Sequence, residues 1–114
     1  MNIVCVTSDP FFSQELVMQL SPGEHKLDLF TNGLIALSSI NETPPDMILI
    51  DNECESINSI ILINLISRDS KFNRTDIHFL SNRIDDPESF KKQHDVKKIW
   101  QKPTDVTNII KFLK

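Results

Sequence analysis

Three features of the sequence predict an α/β fold with five parallel strands in one sheet and helices on both of its faces. Short apolar runs alternate with helix-period patterns five times along the chain. The clearest runs, Ile3-Val4-Cys5-Val6 and Met47-Ile48-Leu49-Ile50, are continuous rather than alternating, as expected of strands buried on both faces. Each run is followed by helix-start or turn chemistry, twice in the form Asp-Pro, at Asp9-Pro10 and Asp86-Pro87. Strand–helix alternation at this spacing requires crossovers, so the strands run parallel and the architecture is (βα)5, doubly wound.

The elements follow in order. The first strand is residues 3–6. Asp9 caps the first helix, Pro10 opens it, and Phe12, Leu16 and Leu20 recur every four residues on one face. Ser21-Pro22-Gly23 stops it. Residues 26–30 form the second strand, with Leu27 and Leu29 on one face. Asn32-Gly33 turns into a second helix marked by Leu34, Leu37 and Ile40. Thr43-Pro44-Pro45 precedes the third strand, which Asp51 ends. A loop over 52–56 leads to a third helix carrying Ile57, Ile60, Ile61, Leu65 and Ile66. Residues 77–80 form the fourth strand, Asp86-Pro87 opens a short fourth helix, and residues 96–101 form the fifth strand. Lys102-Pro103-Thr104 opens the fifth helix.

A chain of 114 residues is long enough for one buried core and too short for two. No apolar run approaches the roughly 20 residues that cross a bilayer. The N-terminus lacks the basic start of a secretory signal, so a cytoplasmic protein is expected. Cys5 and Cys54 have neither metal-ligand nor CxxC spacing. The three histidines, His25, His78 and His94, are too scattered for a metal site. The net charge of −4 is unevenly spread: residues 1–57 hold nine acids and one base, residues 58–114 eleven bases and seven acids. The bases are interleaved with Asp85, Asp86, Glu88 and Asp95 and lack aromatic partners, which argues against nucleic-acid binding.

In open α/β sheets ligands sit beyond the carboxyl ends of the strands. That rule selects Thr7, Ser8 and Asp9 after the first strand, Asp51 after the third, Ser81 after the fourth and Lys102 after the fifth. A carboxylate, a hydroxyl and an ammonium together can handle a phosphoryl group. The carboxylate is the nucleophile, the other two stabilise charge on the phosphoryl oxygens, and a divalent metal neutralises the rest.

Over essentially its whole length the chain resembles the receiver domain of bacterial response regulators, a flavodoxin-like fold. The residues that carry the resemblance are Pro45-Asp46-Met47-Ile48-Leu49-Ile50-Asp51, Asn32-Gly33 with Ala36-Leu37, Ile77-His78-Phe79-Leu80-Ser81, and Lys102-Pro103, in order and at the family's spacing. The resemblance implies that Asp51 is the phosphoacceptor for a partner histidine kinase, that Ser81 and Lys102 sense the phosphoryl group, and that the Lys102-Pro103 bond is cis. It also implies a single receiver-like domain over 1–114 with no output domain, not an enzyme, signalling through protein contacts. The face formed by helix 4, strand 5 and helix 5 is the family's usual dimer or partner surface.

The departures are as informative. The family's paired acids after strand 1, which hold Mg2+, fall on Thr7 and Ser8, both neutral. Mg2+ prefers carboxylate oxygens in near-octahedral order, so its binding is expected to be weak. Asp9 is the nearest substitute, although a cap on helix 1 is the better reading of it. The family's aromatic switch falls on Ile99, and Trp100 beside it points to the opposite sheet face. Asn52-Glu53-Cys54-Glu55 adds negative charge next to Asp51, which opposes a second charge there. With fewer acids around it, Asp51 is expected to pair directly with Lys102. Two readings stay open: a pseudo-receiver that acts without phosphoryl chemistry, and a phosphorylatable single-domain regulator in which Asp9 helps hold Mg2+. A flavin or nucleotide protein on the same fold is disfavoured, because GxGxxG and GxxxxGK[ST] are absent and the chain has only Gly23 and Gly33.

Overall fold

In the computed structural model, which describes residues 1–20, 23–82, 84–104 and 106–113, the five apolar runs form one parallel sheet. Its strands are β1 (Asn2–Val6), β2 (Lys26–Phe30), β3 (Met47–Asp51), β4 (Asp76–Ser81) and β5 (Lys98–Gln101), in the order β2-β1-β3-β4-β5. From β1 the chain steps outward to β2, then returns across β1 to β3 and continues the other way. The winding therefore reverses between β1 and β3, where a doubly wound sheet opens its crevice.

The helices are α1 (Pro10–Gln19), α2 (Gly33–Glu42), α3 (Ser59–Ser67), α4 (Pro87–His94) and α5 (Val106–Leu113), with a 3-10 turn at Ser70–Phe72. Strand alternation sorts the core into two layers. Val4, Val6, Ile48, Ile50, Ile77 and Phe79 face α2 and α3. Ile3, Cys5, Met47, Leu49 and Leu80 face α1 and α5. Ile99 and Trp100 fall on opposite faces, as alternation requires. Cys5 is fully buried, and burial reinforced by the Asp51 carboxylate pushes its thiol far above the usual range, so it is an inert core residue.

Local signals set most helix starts. Asp9, Asn32, Asn58 and Asp86 each accept backbone N–H bonds as N-caps, and Pro10 and Pro87 sit in the first turns. α1 buries Leu16, with Leu20 as its C-cap and Phe12 half-buried, as its spacing predicts. Of the predicted stop at 21–23, Ser21 and Pro22 lie outside the described residues, while Gly23 has a φ of 94°.

Four expectations need correction. α3 begins at Ser59 rather than Ile57, and its buried face is Ser59, Leu62, Ile63 and Ile66, leaving Ile60, Ile61 and Leu65 exposed. The helix is apolar almost all round, so hydrophobic period cannot set its phase. The Ser59 hydroxyl sets it instead, donating to the Asp51 carbonyl at 2.6 Å. α2 faces inward through Gly33, Ala36 and Ile40, and Leu34 is exposed. A Cβ at Gly33 would lie 2.4 Å from the Ile57 Cγ2, so close helix–loop packing fixes that face. β5 starts at Lys98 rather than Val96, because Asp95 adopts φ 56° and the Val96 N–H donates to Lys91 O as part of the α4 C-cap. α5 starts at Val106 rather than Lys102, since a residue preceding proline is driven out of helical conformation.

His78, on the α5 side of β4, is 1% exposed. The Trp100 Nε1–H donates to its Nδ1 at 3.1 Å, so the neutral ring carries its proton on Nε2. Phe112 of α5 packs edge-on against both rings. Burial pushes the His78 pKa down to about 4, with Asp76 opposing and Lys97 and Lys98 adding to the depression. The neutral form is therefore the native one. As pH falls from about 6.5 to about 4, the unfolded chain takes up a proton that the folded chain refuses. Stability from this residue is full above that window and falls by about 1.4 kcal/mol per pH unit within it, on the order of 3 kcal/mol in all. Urea unfolding of the native chain and of His78→Gln across this range checks it. The variant should show the shallower pH slope, and equal slopes would remove His78 as the cause.

Candidate functional site

The carboxyl ends of β1, β3, β4 and β5 meet around Asp51. This residue closes β3, its side chain is fully buried, and its register partner on β4 is Leu80, one residue before Ser81. Backbone bonds extend the sheet just past these ends and hold the loops. Asn52 N donates to Leu80 O and Lys102 N to Ser81 O, each at 2.8 Å. On the other flank, Thr7 N donates to Phe30 O at 2.9 Å. The loop after β3 is tied to the α2 entry through the Glu55–Asn32 bridge, the bond from Gly33 N to Glu55 O, and a bond from Asn32 Nδ2 to Ser56 Oγ. The Asn32-Gly33 signal thus serves both the helix cap and the wall of the site.

Both oxygens of the buried carboxylate are engaged. The Lys102 ammonium pairs with Oδ1, to which the Glu53 N–H also donates at 3.1 Å. The Thr7 hydroxyl donates to Oδ2 at 2.6 Å. The ion pair expected between Asp51 and Lys102 is therefore formed, and Thr7, read from the sequence only as a missing acid, is its third member. Charge-assisted donors of this kind are what a buried carboxylate requires. Thr7 also accepts the Asp9 N–H at 3.0 Å, so one hydroxyl links Asp51 to the start of α1. Sequence reasoning missed this role because a hydroxyl's partner depends on three-dimensional placement. The positional clue was present, since Thr7 sits where the strand-end rule directs attention.

The neighbouring residues are occupied in ways that bear on metal binding. Ser8 donates through both its N–H and its hydroxyl to the Glu53 carbonyl, at 3.0 and 2.9 Å. Asp9 Oδ1 accepts from Phe11 N and Phe12 N, so this carboxylate is the α1 cap. Among the described residues no group of three or more His, Cys, Asp or Glu side chains could hold a metal ion. Among the described residues Asp51 is the one buried carboxylate at this centre, and an ammonium, a hydroxyl and an amide already meet it.

Ser81 is buried at the end of β4, at the same end of the sheet as Asp51 and Lys102. The Lys102-Pro103 bond is cis. Ile99 is half-buried and, like Phe90 and Ile84, packs against the α2–α3 core layer. No aromatic stands at that position. Phe90 of α4 instead stacks on Phe79, with ring centroids 5.4 Å apart, on that face.

The energetics of the pair can be tested directly. Removing the cation in Lys102→Met leaves a buried charge uncompensated and should cost about 3–5 kcal/mol. The double variant Asp51→Asn/Lys102→Met should recover a large part of that loss, because an amide needs no counter-charge. Thr7→Val should cost roughly 1.5–3 kcal/mol for the lost bond to a charged group. Urea midpoints of the four proteins decide this. A double variant no more stable than Lys102→Met would show that the lysine acts through packing.

No protein-family model and no curated protein matches the chain. Solved structures do. The chemotaxis response regulator CheY4 of Vibrio cholerae superposes with a TM-score of 0.85 at 18% identity, over 98% of this chain and 94% of that one. The response regulatory domain of MrkE from Klebsiella pneumoniae gives 0.82 at 20% identity, over 99% and 92%. The Mn2+-bound form of response regulator Rcp1 gives 0.78 at 16% identity, over 98% and 88%. The chain thus shares with these proteins the flavodoxin-like fold of response-regulator receiver domains.

Proposed function

We propose that the chain is a receiver-type signalling module of the two-component kind, a single cytoplasmic domain that acts through protein contacts and without phosphoryl transfer at Asp51. One observation carries the reading: inside the fold the Asp51 carboxylate is already charge-paired by Lys102 and hydrogen-bonded by Thr7. A phosphoryl group arriving at Asp51 would have to displace the Thr7 hydroxyl from Oδ2 or break the Lys102 pair at Oδ1. The charge it adds would lie beside the loop that carries Glu53, and among the described residues no second buried carboxylate stands at the centre to recruit a cation. Ile99 is likewise unable to make the rotation between buried and exposed states that an aromatic there would report with. Signal output is then a matter of which partner the unmodified surface binds, and the α4–β5–α5 face is one such surface, for a dimer or another protein.

The competing reading is a phosphorylatable single-domain regulator with a histidine kinase as donor and Asp9 assisting Mg2+. It is supported by Asp51, Ser81 and Lys102 standing at one end of the sheet. Backbone amide NMR shifts during titration with Mg2+, and then with beryllofluoride as a phosphoryl mimic, separate the two. The expected result is that the amides of Asp51, Ser81 and Lys102 stay unmoved at millimolar Mg2+ with the mimic present. Shifts that need both ligands and vanish in Asp51→Asn would establish the competing reading. In Thr7→Asp/Ser8→Asp, carboxylates replace the two hydroxyl groups, and Mg2+-dependent shifts at Asp51 should appear.

A further inference from the structure

We propose that the outward ridge of α3 is a contact between two copies of this chain, which meet there as an antiparallel, two-fold symmetric helix pair. The contact does not depend on the state of Asp51. From Ser56 to Ser67 no side chain carries a charge, in a chain where charged residues make up 25% of the total. The inner face of α3 is buried, yet Ile61 and Leu65 on its outer face are 53% and 49% exposed. They are four residues apart, so they stand in line along the helix. Asn64 beside them is turned to α4 by a 2.9 Å bond between its Oδ1 and His94 Nδ1. A groove of about 590 Å³ runs along this ridge, lined by Ile61, Asn64, Leu65, Arg68, Asp69 and Ser70. The Ile61–Leu65 ridge of a second copy suits such a groove, as ridges of one helix pack into grooves of another. A helix apolar almost all round is ordinarily covered on both sides.

The two ends of α3 decide what covers it. Before the helix, the loop after β3 exposes Glu53 and Glu55. After it, Arg68, Lys71 and Arg74 are exposed with one acid, Asp69, whose carboxylate accepts the Lys71 N–H at 3.0 Å. The helix has nine residues and is about 14 Å long, so the acidic and basic ends of one copy are too far apart to pair with each other. In a two-fold antiparallel pair the acidic end of each copy lies beside the basic end of the other, and the contact is made twice. The same orientation sets each helix N-terminus beside the opposite C-terminus, as their dipoles favour. A parallel pairing would set acid beside acid and base beside base.

Sedimentation equilibrium of the full chain up to millimolar concentration, without metal or phosphoryl mimic, reads the association, and amide NMR shifts on dilution locate it. The expected result is a dimer whose dissociation shifts Ile61, Asn64 and Leu65. Ile61→Ser/Leu65→Ser removes four apolar side chains from the pair and should weaken it roughly a hundredfold. Glu55→Lys and Lys71→Glu should each weaken it on the order of tenfold, since each sets like charges together twice. Mixed in equal amounts, these two single variants should associate again, because both contacts then join opposite charges. The double variant Glu55→Lys/Lys71→Glu should recover by itself for the same reason. Phe11→Ser, on the exposed side of α1, should leave the dimer unchanged. All these side chains are exposed, and circular dichroism checks that each variant is folded. A chain that stays monomeric throughout, a dimer that Ile61→Ser/Leu65→Ser leaves intact, or single variants that fail to recover on mixing would overturn the proposal. Any of these leaves the Asp51 reading standing, and a response to Mg2+ and beryllofluoride would sink that reading without touching this one.

Discussion

A single buried carboxylate governs this fold's functional end. Asp51 closes the central strand and has no exposure to water, so its charge must be met from within the protein. Lys102 from the far side of the sheet, Thr7 from the adjacent strand and the Glu53 amide meet it together. That requirement fixes where three loops run. The connection after β5 must return Lys102 over the β3 end, the turn after β1 must bring a hydroxyl to the other oxygen, and the β3–α3 loop must bend back over its own strand. The Ser59 hydroxyl on the Asp51 carbonyl then sets how α3 lies on the sheet.

The centre of this end of the sheet is an internal ion pair, ringed by neutral side chains with bonds of their own. Two neutral side chains follow β1, and each has a defined bond: Thr7 to Asp51, Ser8 to the Glu53 carbonyl.

Much of this architecture was legible in the residues. The strands could be read because each is a continuous apolar run, and α1 because Asp9-Pro10 and the four-residue spacing agree. The Asp51–Lys102 pair followed from the strand-end rule and from the absence of rival acids. Errors fell where a tertiary bond overrode a local pattern. The phase of α3 was hidden because Ile60 and Ile61 look as apolar as Leu62 and Ile63, and a serine decides which pair turns inward. Lys102-Pro103-Thr104 has the composition of a helix opening, yet Lys102 lies in a bend after β5, with its N–H bonded to the Ser81 carbonyl. Val96 has the hydrophobicity of a β5 residue, yet its N–H bond to the Lys91 carbonyl places it in the closure of α4.

The bond from Trp100 to His78 has a spectroscopic consequence. Trp100 is the only tryptophan and the chain has no tyrosine, so one indole dominates its near-ultraviolet absorption and emission. That indole donates to a buried imidazole, meets Phe112 edge-on and has the Lys98 ammonium 5.0 Å from its ring centroid. Its emission is therefore a local signal, coloured by the protonation of one histidine and by the docking of the last helix. An unfolding curve followed by fluorescence reports the β4–β5–α5 corner, and its coincidence with one followed by far-ultraviolet circular dichroism would show that this corner melts with the whole sheet.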